Sequence, residues 1–263
     1  MTQLLDVKTA DELADFAEKL ADAASDVTMK WFRKKVDIVN KEDEHFDPVT
    51  VADRDAETAI RALIEQHYPD HGIIGEEHGI KEANSAFTWV LDPVDGTRAF
   101  ISGLPTWGTL IALLFNGIPV IGVIEQPYLR ERYVGKPGIA TLNGEPITTR
   151  PCTSLAVATI STTDPALFRG KDKDAFMRLL DASRLVRYGM DCYAYAILSS
   201  GYMDVVAETG LQIYDMMALI PIIRGAGGIA VSWTGAENPG EDGTLLALGD
   251  SALYRDTLDL LRH

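Results

Sequence analysis

Cysteine is scarce in this chain of 263 residues, with two in all, Cys152 and Cys192. Their separation matches no metal-ligand spacing and offers no disulfide framework, so both are read as reduced core residues. Positive charge is also short, with Lys+Arg 24 against Asp+Glu 39 and a net charge of −15. That balance argues against nucleic-acid backbone or an anionic membrane as partner. Long apolar runs are missing too. The most apolar stretch, 108–124, is interrupted by Asn116, Gly117 and Pro119, which leaves no candidate membrane span. Near the N-terminus stand Asp6, Lys8, Asp11 and Glu12 where an export signal would be apolar, and the expected location is the cytoplasm. There is no internal repeat and no low-complexity tract. The five histidines, His45, His67, His71, His78 and His263, show no metal spacing and are expected to be solvated or locally bonded.

Hydrophobic content is 46%, ample for a large core. Thr9 to Glu12 reads as a capping box ahead of Leu13, Phe16, Ala17, Leu20 and Ala24 at helical spacing. The polar segment 37–48 reads as a loop or loose hairpin, and Thr50 as the cap of a helix running to about His67. Asn116-Gly117 marks a tight hairpin between strands 108–115 and 119–125, and short strands at 131–134 and 139–142 extend a meander. Residues 1–150 are thus expected to form an α+β lobe of helices on a mostly antiparallel sheet. Residues 151–263 alternate strands and helices as an α/β lobe, including a helix 214–225 kinked at Pro221. With no flexible linker between them, the lobes are expected to share an interface.

The chemistry concentrates on Trp89-Val90-Leu91-Asp92-Pro93-Val94-Asp95-Gly96-Thr97. An apolar strand ends there in two carboxylates, a proline, a glycine and a hydroxyl. The turn this forces lets Asp92 and Asp95 converge, beside the amides of Gly96 and Thr97 at the start of a short helix. A cation site would then adjoin an anion site. Other acids stand apart in the chain: Asp53 in a helix first turn, Glu76 and Glu77 between glycines, and Asp215 at the start of a later helix. Singly, each has an ordinary role as a helix-dipole partner, turn residue or solvated charge.

In order and setting, these residues resemble the inositol monophosphatase superfamily of magnesium-dependent phosphatases. The matching segments are Thr50 to Asp53, Gly75-Glu76-Glu77, Trp89 to Thr97, and Tyr214-Asp215 followed by Gly225 to Gly228. The resemblance implies a layered αβαβα sandwich of two closely packed lobes and a homodimer. It makes Glu76, Asp92, Asp95, Asp215 and the carbonyl of Val94 ligands to two or three Mg²⁺ ions, a hard-oxygen set suited to that ion. It assigns Thr97, oriented by a hydrogen bond to Asp53, and Glu76 to activation of a metal-held water for in-line attack on phosphorus. Asp95, Gly96, Thr97 and Asp215 would contact substrate. Glu77 is left as a surface or supporting acid.

The leaving alcohol is read from the second lobe. Asp191, in Arg187 to Tyr195, is a carboxylate where inositol phosphatases have small or neutral residues, and Glu208 matches the family's substrate-contacting acid. Two negative charges there suit a cationic group. The run Arg98 to Pro105 and the segment Tyr188 to Tyr195 look like the histidinol-phosphatase branch. Histidinol phosphate, a small phosphorylated amino alcohol, is therefore the expected substrate, with Asp191 or Glu208 on its ammonium. Arg187 is a candidate for phosphate or for positioning Asp191, and Arg98 is expected only at the surface. The alternatives are an inositol-1-monophosphatase, a broad sugar-phosphate phosphatase, or a non-catalytic divalent-cation-binding protein.

Overall fold

A computed structural model describes residues 5–34, 39–40, 48–237 and 242–262. Among the described residues, two large sheets alternate with three helical layers, and a third, two-stranded sheet stands apart. The first sheet has eight strands in the order 145–146, 139–142, 131–136, 118–126, 108–115, 87–95, 72–75 and 79–81. All its neighbours are antiparallel except 72–75 and 87–95, which run parallel. The second sheet has five strands in the order 185–187, 159–161, 205–209, 244–248 and 229–231.

The outer layer on the first sheet is the helix Val7–Trp31 with the helix Val51–His67. Ala10, Leu13, Ala14, Ala17, Leu20, Ala21 and Ala24 are its buried stripe, and the alanines let the long helix lie close to the strands. Its cap is Asp6, whose Oδ1 accepts from the Thr9 amide at 3.0 Å. The expected box starting at Thr9 is not used, because the Thr9 hydroxyl itself donates to Asp6 Oδ2 at 2.6 Å. Thr50 does cap the next helix. Of the 37–48 segment, residues 39–40 pair with 48–49, as a hairpin requires; 41–47, with His45, and His263 lie outside the described residues.

The middle layer joins the two sheets. The helix Leu219–Gly225 crosses strands 118–126, 131–136 and 139–142. It can do so because Gly122 and Gly135 face it: an added Cβ would come within 1.9 Å of the Ala218 carbonyl and 2.3 Å of the Ile222 nitrogen. The expected continuous helix 214–225 is two helices, Ile213–Met216 and Leu219–Gly225. Pro221 sits in the first turn of the second, where no intrahelical partner is needed for a backbone N–H, so it starts a helix instead of kinking one. On the far face of the second sheet, Phe168, Phe176, Leu179 and Leu258 build the outer core under the helices Gly170–Ala182 and Tyr254–Leu261. Cys152 and Cys192 are both free and buried. His71 is 8% exposed and locally bonded, with Nδ1 accepting from the Trp89 indole at 3.1 Å. Among the described residues, no helix is long and apolar enough to cross a membrane.

Candidate active site

The strand Phe87–Asp95 runs through the Asp-Pro-Val-Asp corner instead of stopping before it, and its register with strand 108–115 shifts between Asp92 and Asp95. The bulge turns both carboxylates toward one point. Gly96 follows at φ 79 and caps the short helix Thr97–Ile101; a left-handed residue is required there, and glycine adopts it without a Cβ clash. From the second sheet, the helix Ile213–Met216 packs against this strand and brings in Asp215. Asp92, Asp95 and Asp215 each offer an oxygen, all within 4.8 Å of one another.

Each of these carboxylates is aimed by one backbone amide. Asp92 Oδ1 accepts from Val94 at 3.1 Å, Asp95 Oδ2 from Cys192 at 2.7 Å, and Asp215 Oδ2 from Gln212 at 2.7 Å. Glu76 leaves the neighbouring parallel strand, its amide donating to the Leu91 carbonyl at 3.2 Å, and interacts directly with Asp92. Burial, then the charges of Glu76, Asp95 and Asp215, pushes Asp92 well above the usual carboxylate range. Burial, then Asp191 and Asp215, does the same to Asp95. Crowded carboxylates, Asp92 buried and Asp95 and Asp215 half-buried, are the donor set of a hard divalent ion, and the residues present fit Mg²⁺.

The expected hydrogen bond between Asp53 and Thr97 is not formed. Thr97 donates to the Val94 carbonyl at 3.1 Å. Asp53 Oδ2 is taken by the Thr50 amide at 2.9 Å and the Thr50 hydroxyl at 2.5 Å, closing the capping box of its own helix. The other oxygen, Oδ1, is buried with no hydrogen-bond partner among the described residues. Burial pushes Asp53 up to about 6, against the Thr50 bonds that lower it, with Glu77 and Glu76 adding to the rise.

A cleft of about 270 Å³ opens over the corner, lined by Glu76, Asp92, Val94, Asp95, Gly96, Thr97 and Asp215, and on its far side by Asp191, Tyr195 and Glu208. Asp191 lies at φ 46 directly against Gly96, where an added Cβ would meet its carboxyl at 2.9 Å. Burial raises Asp191 to about 6, while Arg98 and a Thr106 hydrogen bond oppose the rise. Glu208 is 6% exposed; it accepts from the Thr162 hydroxyl at 2.9 Å and from the Thr163 amide. Burial raises it to about 7.

Two expectations fail here. Arg187 is exposed at the end of its strand and is not among the residues lining the cleft; its backbone carbonyl accepts from Ser161 and Thr162 as part of the sheet edge. Arg98, expected only at the surface, is exposed but lines the cleft and acts on Asp191. Glu77, expected as a surface or supporting acid, is not at the surface: its side chain is 3% exposed and 3.7 Å from Arg54, which leaves the supporting alternative. Tyr195, to which the sequence gives no role of its own, lines the cleft, and its buried hydroxyl has no hydrogen-bond partner among the described residues.

A carboxylate cluster fit for divalent ions, at the junction of two sheets in an αβαβα sandwich, defines a metal-dependent phosphatase class. The chain belongs to the inositol monophosphatase family, whose model matches residues 9–261. It is 46% identical over 262 residues to the bifunctional phosphatase IMPL2, chloroplastic, of Arabidopsis thaliana, covering 95% of this chain and 75% of that one. It is 33% identical over 245 residues to a histidinol-phosphatase of Chlorobaculum parvum, covering 92% and 93%. Among solved structures, an inositol monophosphatase from Zymomonas mobilis matches with TM-score 0.87 and 42% identity, covering 95% and 98%. The chain is thus a phosphatase of this family.

The raised carboxylates give a pH signature. Asp92 and Asp95 hold protons in the folded metal-free state at pH values where the unfolded chain, titrating near ~3.9, has released them. Metal-free stability should therefore fall as pH rises from that value through the raised ones. Mg²⁺ displaces those protons, so the rise in Tm on adding Mg²⁺ is expected to be larger at about pH 8 than at about pH 5. Thermal melts in chelator and in Mg²⁺ across that range check this; a rise that does not change with pH would contradict it.

Proposed function

We propose that the chain hydrolyses L-histidinol phosphate to L-histidinol and phosphate, with Glu76, Asp92, Asp95, Asp215 and the Val94 carbonyl holding two or three Mg²⁺ ions. The observation that carries the choice of substrate is the far wall of the cleft. Asp191 and Glu208 line it in addition to the four carboxylates of the ion cluster, and Arg98 is the one cation among the described lining residues. Two or three Mg²⁺ ions supply about +4 to +6 against about −4 from that cluster. Asp191 and Glu208 are left over, and they suit a leaving group that carries its own positive charge.

When bound, the ions neutralise the phosphate and lower the pKa of water. The chain's own residues do the rest. Amides of Gly96 and Thr97 receive phosphate oxygens at the helix start. Glu76 and the Thr97 hydroxyl orient the attacking water; Asp53, outside the cleft lining and not bonded to Thr97 in this structure, takes up its proton only once a bond between Asp53 Oδ1 and Thr97 has formed. A carboxylate lifted to about 6 is better matched to proton transfer near neutral pH than an ordinary one. Asp95 and Asp215 flank the departing oxygen. Asp191 and Glu208 accept from the ammonium, whose charge keeps both ionised despite their burial.

Kinship with the histidinol-phosphatase of Chlorobaculum parvum supports this reading, while the Zymomonas mobilis structure, titled an inositol monophosphatase, favours a second one. Steady-state kinetics in Mg²⁺ separate them. The kcat/KM for histidinol phosphate is expected to exceed that for inositol 1-phosphate by about 10- to 100-fold, the worth of one charge-assisted hydrogen bond. An equal or reversed preference would sink the histidinol reading, and release of phosphate from neither would favour a protein that only binds cations.

A further inference from the structure

We propose that Glu57, a residue outside the cleft, is a positioning residue that sets the carboxylate of Glu76 for the ion; this rests on the reading of Glu76 as a metal ligand. Glu57 is fully buried, at 0% exposure. It stands one helical turn after Asp53 on the helix Val51–His67 and does not serve that helix's own backbone. Its Oε2 accepts from the Glu77 amide at 2.7 Å and its Oε1 from the His78 amide at 3.2 Å. Arg61, one turn further on, donates Nε to Oε1 at 2.6 Å and reaches the Gly79 carbonyl with its other end.

The segment these bonds grip is the turn that begins with Glu76. On its other side the Glu76 amide is tied to Leu91, the residue before Asp92. Glu76 is thus held between two anchors, one on the strand that carries Asp92 and one on the helix that carries Asp53. Gly75 is part of the same device: a Cβ there would lie 1.9 Å from Glu57 Oε1, so only glycine lets the carboxylate reach the amides beyond it. A buried charge is expensive unless paired and hydrogen-bonded. Here that charge is spent on two loop amides and one guanidinium, and the result is a fixed turn. A carboxylate ligand at the end of a loop needs such support to keep its geometry.

Isothermal titration of Mg²⁺ into the metal-free full chain tests this on wild type, Glu57→Gln, Glu76→Gln and the double variant. The amide of Glu57→Gln keeps the volume but loses charge and one acceptor oxygen. It is expected to weaken Mg²⁺ binding about 10- to 100-fold and to add almost nothing in the Glu76→Gln background, because it acts through Glu76. Wild-type affinity in Glu57→Gln, even with a lowered Tm, would mark a purely structural residue and overturn the proposal. Full additivity of the two losses would overturn it as well. If Glu76→Gln itself binds Mg²⁺ like wild type, the ligand assignment fails and takes this inference with it. Should Glu57→Gln not fold, Glu57→Asp keeps the charge and draws the acceptors back by one methylene; it too must bind Mg²⁺ more weakly, and wild-type affinity there refutes the role.

Discussion

Asp92→Asn is expected to lower kcat by at least about 10³-fold while leaving the metal-free protein as stable as wild type or more so. The activity loss follows from taking a ligand out of an ion site that supplies several kcal/mol of transition-state stabilisation, at about 1.4 kcal/mol per factor of ten. The stability result follows from the opposite side of the same geometry. Asp92 is 2% exposed among like charges, so in the absence of an ion its carboxylate opposes folding at neutral pH. An asparagine of the same shape removes that charge and keeps its oxygen for the Val94 amide, which lies 3.1 Å away. Melting in chelator and turnover in Mg²⁺ should therefore move apart. A large loss of Tm in chelator would mean that Asp92 is structural, and the corner would lose its reading as an ion site.

Asp191→Asn is expected to reduce kcat/KM for histidinol phosphate by about 10- to 100-fold, the range of a charge-assisted hydrogen bond worth ~1.5–3 kcal/mol. Turnover of an aryl phosphate whose aryl group carries no positive charge should change by less than about threefold, since that leaving group offers no cation to Asp191. The contrast matters because Asp191 also touches the phosphate side of the cleft through Gly96. If both substrates fall together, Asp191 shapes the Gly96 loop and does not read the ammonium. Glu208 would then be left to do so from its seat on Thr162 and Thr163.

Local patterns reported the local structure well. Asn116-Gly117 and Asn143-Gly144 both turn with positive φ at each residue, 51 and 78, then 51 and 84, because that pair of residues tolerates the turn a two-residue hairpin needs. Thr50 caps its helix because its hydroxyl oxygen accepts from the Ala52 amide, one of the unpaired donors of the first turn. The acids of the ion cluster were legible as a set only through the family resemblance, because each alone reads as a turn residue, a helix-dipole partner or a solvated charge. Partner choice was not legible. Asp6 and Thr9 both offer a cap, and which one wins depends on a single side-chain bond between them. Asp53 has two possible acceptor duties, and its own Thr50 takes one of them.

Long-range roles were hidden for the same reason. Glu57 reads in sequence as one more acid on an amphipathic helix, and its targets are 20 and 21 positions away. Tyr195 reads as helix core, and its place on the cleft wall depends on how the helix Tyr193–Ser199 enters from the Asp191-Cys192 turn. Arg187 carried a plausible chemistry and ended outside the cleft, because the side chain that a strand end presents is decided by the pairing of that strand, here with 159–161.

The most direct measurement of the central claim is a crystal structure with Mg²⁺ and histidinol phosphate bound. The account predicts ions on Glu76, Asp92, Asp95, Asp215 and the Val94 carbonyl, phosphate oxygens on the amides of Gly96 and Thr97, and the ammonium within hydrogen-bond distance of Asp191 or Glu208. An ammonium pointing to solvent, with both carboxylates facing neutral groups, would contradict it.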